Sequence, residues 1–64
     1  MKPRITLELR KSRDGSCYIA HLVVGTRRIW IDVCLPDWES ADDYHTSLAK
    51  DFAAAGIALV EDIQ

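Results

Sequence analysis

Cysteine, histidine and carboxylate side chains are the groups in this 64-residue chain that could perform chemistry. Cys17, Cys34, His21 and His45 are enough ligands for a zinc ion, provided that they converge. Cys17 and His21 lie four residues apart on a predicted strand, roughly 13 Å at the strand rise. His45 belongs to a predicted helix on the opposite side of the sheet. We therefore expect neither a metal site nor a cofactor.

The same residues do not form a recognisable catalytic set. No serine or cysteine has a histidine and a carboxylate at the spacing of a nucleophilic triad. The neighbouring Asp42 and Asp43 are better explained by their position in the positively polarised first turn of a helix than by a catalytic role. The glycines are scattered at turns, so no phosphate-binding loop is present. We expect a protein that is not an enzyme, with no catalytic residues.

A β-hairpin is the element around which the chain is organised. Residues 18–24 and 28–35 are rich in β-branched and aromatic residues, and the Gly25-Thr26 pair between them is typical of a two-residue type II′ turn. The closing pair of this turn is Val24 and Arg27. One face of the hairpin is the predicted core, with pairs Leu22 and Ile29, Ala20 and Ile31, Tyr18 and Val33. The other face carries Val23 opposite Arg28, His21 opposite Trp30, Ile19 opposite Asp32, and Cys17 opposite Cys34.

The two cysteines face each other in this register, as a closely spaced pair. A cross-strand disulfide is compatible with that spacing. The chain shows no secretion signal, however, so we expect the reduced form of the pair.

A first strand precedes the hairpin. From Arg4 to Arg10 polar and apolar residues alternate, and the turn from Lys11 to Gly15 contains an Asp-Gly pair that tolerates a positive φ. Matching the apolar faces makes the hairpin's first strand central, with predicted neighbours Leu9 and Tyr18, Leu7 and Ala20, Ile5 and Leu22.

A helix and a short strand complete the predicted fold. Ser40 is the expected N-cap, and Gly56 fits the position just past the helix end. The helical stripe that covers the core face consists of Ala41, Tyr44, Leu48, Phe52 and Ala55. Residues 57–60 read as a short fourth strand at a sheet edge, and residues 61–64 as a frayed end. We expect one α+β domain over residues 1–64: a three-stranded antiparallel sheet in β-β-β-α-β order, one helix on one face, and the short edge strand.

Charge is divided unevenly along the chain. Residues 1–31 hold seven basic and two acidic residues, a net charge of +5, whereas residues 32–64 hold one basic and eight acidic residues, a net charge of −7. No apolar run approaches the roughly 20 residues needed to cross a bilayer. Met1 to Arg4 leads into a strand instead of a signal-peptide core, so we expect a cytoplasmic protein.

Charge and layout support a nucleic-acid-binding interpretation. The turn residues Gly15-Ser16-Cys17-Tyr18, Gly25-Thr26-Arg27-Arg28 and Ser40-Ala41-Asp42-Asp43-Tyr44 resemble those of the DNA-binding domains of phage integrases and plant ethylene-response factors. That resemblance implies that the open sheet face enters the major groove through Arg4, Arg10, Arg28 and Trp30. Glu8 and Asp32 depart from it, because both lie in the middle of that face and would meet phosphates.

The acidic half supports a second interpretation, in which carboxylates spaced along a helix imitate phosphates and occupy a basic groove of a partner. The candidate partner-binding residues are Asp37, Glu39, Asp42, Asp43, Asp51, Glu61 and Asp62. In size, layout and charge the chain resembles the anti-CRISPR proteins of phages and mobile elements. The resemblance implies an inhibitor that acts in the host cytoplasm, with a CRISPR effector complex as its protein partner and a block on DNA entry as its mechanism. It implies no direct contact with nucleic acid or membrane.

A third interpretation is a structural role. The basic open face of one copy would meet the acidic helix of the next, in a homodimer or a larger assembly. A toxin–antitoxin partner domain has a similar strand-and-helix layout. We expect apolar residues on the open face, among them Trp30, Ile19 and Val23, to mark a contact site.

Overall fold

Residues 4–64 form a four-stranded mixed sheet with one helix, as described by a computed structural model. The elements are β1 (Arg4–Lys11), β2 (Tyr18–Val24), β3 (Arg27–Leu35), α1 (Trp38–Ala54) and β4 (Ala58–Ile63). The strand order is β3-β2-β1-β4, and β4 runs parallel to β1. The α+β class is confirmed, but the sheet is not three-stranded and wholly antiparallel as predicted. The interpretation of the first residues as a lead-in concerns Met1 to Pro3, which lie outside the described residues.

The hairpin has its predicted turn and most of its predicted register. Val24 pairs with Arg27, Leu22 with Ile29, and His21 with Trp30. Gly25 has a φ of +62°, and Thr26 is not among the positive-φ residues. A positive φ at the first central position alone is the requirement of a type II′ turn.

The far end of the hairpin differs from the prediction. A bulge between Ala20 and Tyr18 brings Tyr18 opposite Leu35 instead of Val33. Cys17 and Cys34 are joined by a disulfide across a Cα–Cα distance of 5.6 Å. The expectation of a reduced pair is therefore wrong: the absence of a secretion signal says nothing about geometry, and the two Cα atoms lie within disulfide reach.

The register between β1 and β2 is two residues away from the predicted one. Leu7 pairs with Leu22 and Leu9 with Ala20, while Lys11 still belongs to β1. Because β1 includes Lys11, the connecting loop spans residues 12–17 and its centre lies later in the chain than predicted. Asp14 organises this loop: its carboxylate accepts hydrogen bonds from the hydroxyls of Ser12 and Ser16 and from the Ser16 N–H. A shift of two residues keeps every side chain on its face.

Helix α1 begins earlier than predicted. Asp37, not Ser40, is the N-cap, and its carboxylate accepts a 2.8 Å hydrogen bond from the Ser40 N–H. At the other end Gly56 has a φ of +77°, and the N–H groups of Gly56 and Ile57 bind the carbonyls of Ala53 and Phe52. This pattern is a Schellman motif, which confirms the predicted helix end.

Strand β4 is longer than predicted and is not frayed. It lies at a sheet edge, as expected, but residues 61–63 pair with Leu7, Glu8 and Leu9 of β1. The Gln64 N–H extends this pairing with a 2.9 Å hydrogen bond to the Leu9 carbonyl. The prediction missed the second half of β4 because Glu61 and Asp62 are polar. Backbone pairing with β1 stabilises these residues as a strand.

The core lies between the sheet and α1. Leu7 and Leu9 are fully buried there, and the predicted helical stripe contributes Ala41, Tyr44, Leu48 and Phe52. Ala55, the fifth predicted member, is exposed at the helix end. The helix packs mainly against β4 and only slightly against β3. Within the described residues no helix has the length and apolar character that crossing a membrane requires.

Candidate functional site

The first turn of α1 presents exposed carboxylates. Asp37 and Glu39 are exposed, and Asp43 lies one turn after Glu39 on the same side of the helix. The hydrogen bonds from the N–H and then the hydroxyl of Ser40 lower the pKa of Asp37. Negative charge at this end is also favoured by the helix dipole. The lowered pKa favours the ionised form of Asp37, and the side chains of Glu39 and Asp43 are accessible to a partner.

An exposed tryptophan is adjacent in sequence to two of these carboxylates. Trp38 is 57% exposed, between Asp37 and Glu39 in the sequence. Tryptophan is enriched among the residues that contribute most to binding at protein interfaces. The sequence prediction missed this residue, because Trp38 precedes the predicted helix start at Ser40. We call Asp37, Trp38, Glu39 and Asp43 the acidic surface.

Two other predicted partner-binding residues, Asp42 and Glu61, are partly buried and lie next to each other. Burial, followed by a hydrogen bond and repulsion from Asp42, raises the pKa of Glu61, and His45 opposes this shift. The His45 Nδ1 lies 3.4 Å from Glu61 Oε2, and its Nε2 lies 2.9 Å from the Leu59 carbonyl, to which it donates. These three side chains form a polar cluster that joins α1 to β4.

The remaining predicted residues are separated from the acidic surface. Asp51 is exposed, but it lies eight residues beyond Asp43, about 12 Å along the helix axis. Lys50 continues the row of Glu39 and Asp43, so the row does not remain acidic. Asp62 pairs with Glu8 on the open sheet face, where its carboxylate accepts a 3.1 Å hydrogen bond from Gln64. The seven predicted residues thus divide among four places: the acidic surface, the contact between α1 and β4, the later part of α1, and the open sheet face.

The open sheet face is organised around Glu8. The Glu8 side chain is only 13% exposed and accepts a hydrogen bond from the Arg28 guanidinium. Arg10 Nε lies 3.6 Å from the same carboxylate and donates a 3.0 Å hydrogen bond to Gln64 Oε1. Two of the predicted DNA-contacting arginines therefore share one carboxylate within the face, which offsets one of their two positive charges. Glu8, which departs from the integrase-like pattern, is the reason.

Trp30 and His21 occupy the same row of the face as Glu8. Trp30 pairs with His21, and His21 pairs with Glu8. Trp30 is 61% exposed, whereas His21 Nδ1 is buried without a hydrogen-bond partner among the described residues. The predicted exposure of Trp30 is confirmed, and the face combines one aromatic side chain with internally paired charges.

Residues 4–64 contain no group of three or more His, Cys, Asp or Glu side chains arranged to hold a metal ion. A concavity of about 240 Å³ at the end of α1 is lined by Ala53, Gly56, Ile57 and Ala58. None of these residues carries a charged or nucleophilic side chain. The ionisable groups and the concavity therefore lie apart.

The chain was also compared with known proteins. No family model, no curated protein and no solved structure gives a significant match. A function can therefore be inferred only from the surfaces of the protein.

Proposed function

We propose that the protein is a small non-enzymatic inhibitor, similar to the anti-CRISPR proteins, that binds a nucleic-acid-binding protein through its acidic surface. The contacted residues are Asp37, Trp38, Glu39 and Asp43, with Asp51 at the margin. The partner is a CRISPR effector complex in the cytoplasm of a phage-infected cell, and the effect is to block the entry of DNA.

One contrast between the two surfaces supports this proposal. On the open face Glu8 forms ion pairs with both Arg28 and Arg10, and its negative charge partly offsets theirs. On the acidic surface Glu39 and Asp43 form no ion pair with any residue from 4 to 64. A DNA duplex would meet arginines that already share a carboxylate, whereas a basic groove would meet carboxylates without an ion-pair partner among residues 4–64. Long-range attraction between such charges speeds encounter with the groove.

The test measures inhibition directly. Purified CRISPR effector complexes are mixed with a labelled target duplex, and fluorescence anisotropy follows the bound duplex as the protein is added. We expect the wild-type chain to release the duplex. Asp43→Lys should raise the half-inhibitory concentration by about tenfold, a change of about 1.4 kcal/mol in binding free energy.

A matched control uses the same charge change on the opposite face. Asp62→Lys should leave inhibition unchanged, since Asp62 lies on the open face. Asp42 is unsuitable as a probe because it contacts Glu61. Equal losses for both variants, or no release of duplex from any effector complex, would contradict the proposal.

A second titration tests the DNA-binding alternative. The protein itself is added to a labelled random-sequence duplex at low and at moderate salt. We expect no binding. Binding that weakens steeply with salt would overturn the inhibitor proposal in favour of a DNA-binding sheet that uses Arg4, Arg10, Arg28 and Trp30.

A further inference from the structure

We propose that the outer edge of β3 joins two copies of the chain into a symmetric dimer. The two β3 strands pair antiparallel, centred on Trp30, and form one continuous eight-stranded sheet from two copies of the four-stranded one. This inference does not depend on the proposed inhibitor function.

Strand β3 has the features of an edge that can accept another strand. It is an outer strand of the sheet, it is nine residues long, and it contains no proline. Long edges of this kind present unpaired backbone groups to other chains. The helix does not shield it, because α1 packs mainly against the opposite edge.

The hairpin turn determines which residues of β3 direct their backbone outward. Val24 and Arg27 close a two-residue turn, so they exchange hydrogen bonds with each other. Hydrogen-bonded and non-hydrogen-bonded pairs alternate along an antiparallel ladder. Ile29 and Ile31 therefore bond to β2, whereas the N–H and C=O groups of Arg28 and Trp30 point to the outer edge; Asp32 follows Ile31, where the bulge interrupts the regular β2–β3 pairing.

A register centred on Trp30 satisfies these outward groups and their charges together. Trp30 then faces Trp30 of the second copy, and Arg28 of each copy faces Asp32 of the other. The Trp30 pair is then of the hydrogen-bonded type, and opposite charges in facing positions stabilise a sheet. A slip of two residues, the smallest that preserves faces and hydrogen-bonding phase, places Trp30 opposite Arg28 or Asp32 and loses both ion pairs.

The same register covers apolar side chains that the single chain leaves exposed. Ile29, on the helix side of the sheet, is 50% exposed, and it would lie opposite Ile31 of the second copy in a closely spaced pair. Trp30 is 61% exposed on the open face and would pack against its symmetry mate. Arg28 keeps its contact with Glu8, since a guanidinium has five N–H donors and can serve two carboxylates.

The experiment is a charge-swap measured by sedimentation equilibrium and light scattering over a range of protein concentrations. We expect the wild-type chain to be a dimer. Asp32→Arg sets arginine against arginine, and Arg28→Asp sets aspartate against aspartate. Each variant alone should therefore dissociate at least about tenfold more readily, about 1.4 kcal/mol.

Mixing the two variants is the decisive step. In the mixed pair each arginine of one chain faces an aspartate of the other, so dimers should reappear at equal proportions of the two. This rescue also shows that both variants fold. Asp43→Arg, with the same charge change on α1, is the matched control and should dimerise like the wild type.

Three outcomes would overturn the proposal. A wild-type chain that stays monomeric at every concentration excludes the dimer. Open-ended growth beyond two copies indicates head-to-tail contact, for example between the β3 and β4 edges, instead of a closed pair. A dimer that survives both single variants, or that mixing fails to restore, uses another surface.

Discussion

Glu61 shows how a single carboxyl group couples the helix to the last strand. Its side chain lies on the helix side of β4, against Asp42 and His45. Burial and Asp42 raise its pKa, so the folded chain holds the proton at pH values where the unfolded chain has released it. The contribution of Glu61 to stability is therefore complete below the ordinary glutamate value of 4.5 and is lost as the pH rises through the raised pKa.

Glu61→Gln tests this sign. We expect the variant to melt at a higher temperature than the wild type near neutral pH, because glutamine carries no charge to bury. The difference should vanish below about pH 4.5, where Glu61 is protonated in both states. Thermal unfolding, followed by circular dichroism from pH 4 to pH 8, measures the difference in melting temperature between the wild type and the variant.

Two neighbouring substitutions serve as controls. Asp42→Asn removes a cause of the raised pKa and should flatten the pH dependence. Asp43→Asn should leave it unchanged, since Asp43 points to solvent. A wild-type melting temperature that rises between pH 5 and pH 7 would contradict the assignment.

The sequence predicted the chemistry of these carboxylates better than their positions. The seven predicted partner-binding carboxylates all lie in residues 32–64, and the excess of acidic residues there is visible in the sequence. Glu61 and Asp62 are adjacent in a strand, however, and adjacent strand residues face opposite sides. Because residues 61–64 were predicted to fray, this alternation could not be applied, and the two side chains were assigned to one surface.

At the scale of elements, Asp37 and Ser40 are the two candidates for the N-cap of α1. Asp37 occupies the N-cap position, whereas Ser40 provides the N–H that the Asp37 carboxylate binds. We expect Asp37→Ala to lower the melting temperature by several degrees and to reduce the helical circular dichroism signal. Ser40→Ala should have a smaller effect, because the alanine backbone keeps that N–H. The opposite ranking would support the later helix start.

The register of β1 and β2 shows a different limit of the sequence. Apolar alternation identified the faces of both strands correctly, since the faces depend only on the period of two. The pairing depends on the loop, and there Ser12, Asp14 and Ser16 bind one another. Such side-chain bonds in a loop add no periodic signal, so the two-residue shift could not be predicted.

At the scale of the whole molecule, the Cys17–Cys34 disulfide links the residue just before β2 to β3, across 17 positions of sequence. Cross-linking a loop of about 15 residues contributes about 3 kcal/mol to the free energy of unfolding. A domain this small buries too little apolar surface to make up for the loss of that contribution.

Reduction of the disulfide should therefore lower the urea midpoint markedly. The Cys17→Ser/Cys34→Ser variant should unfold at that lower midpoint with or without reductant, which separates the loss of the bond from side effects of the thiol reagent. An unchanged midpoint would show that the bond does not contribute to stability. The proposed inhibitor also requires that the reduced chain remain folded at cellular temperature, since a cytoplasm reduces most disulfides.

The parallel pairing of β1 with β4 has a consequence for mechanical force. A pull applied at Arg4 and at Gln64 draws these neighbouring strands in opposite directions along their length, because their outer ends lie at opposite ends of the pair. The load falls on all the hydrogen bonds between the two strands at once, in shear, instead of opening them one after another. In a force spectrometer the domain should therefore resist stretching between these two points far more than stretching between Arg4 and Val24, which opens the antiparallel β1–β2 hairpin one residue pair after another.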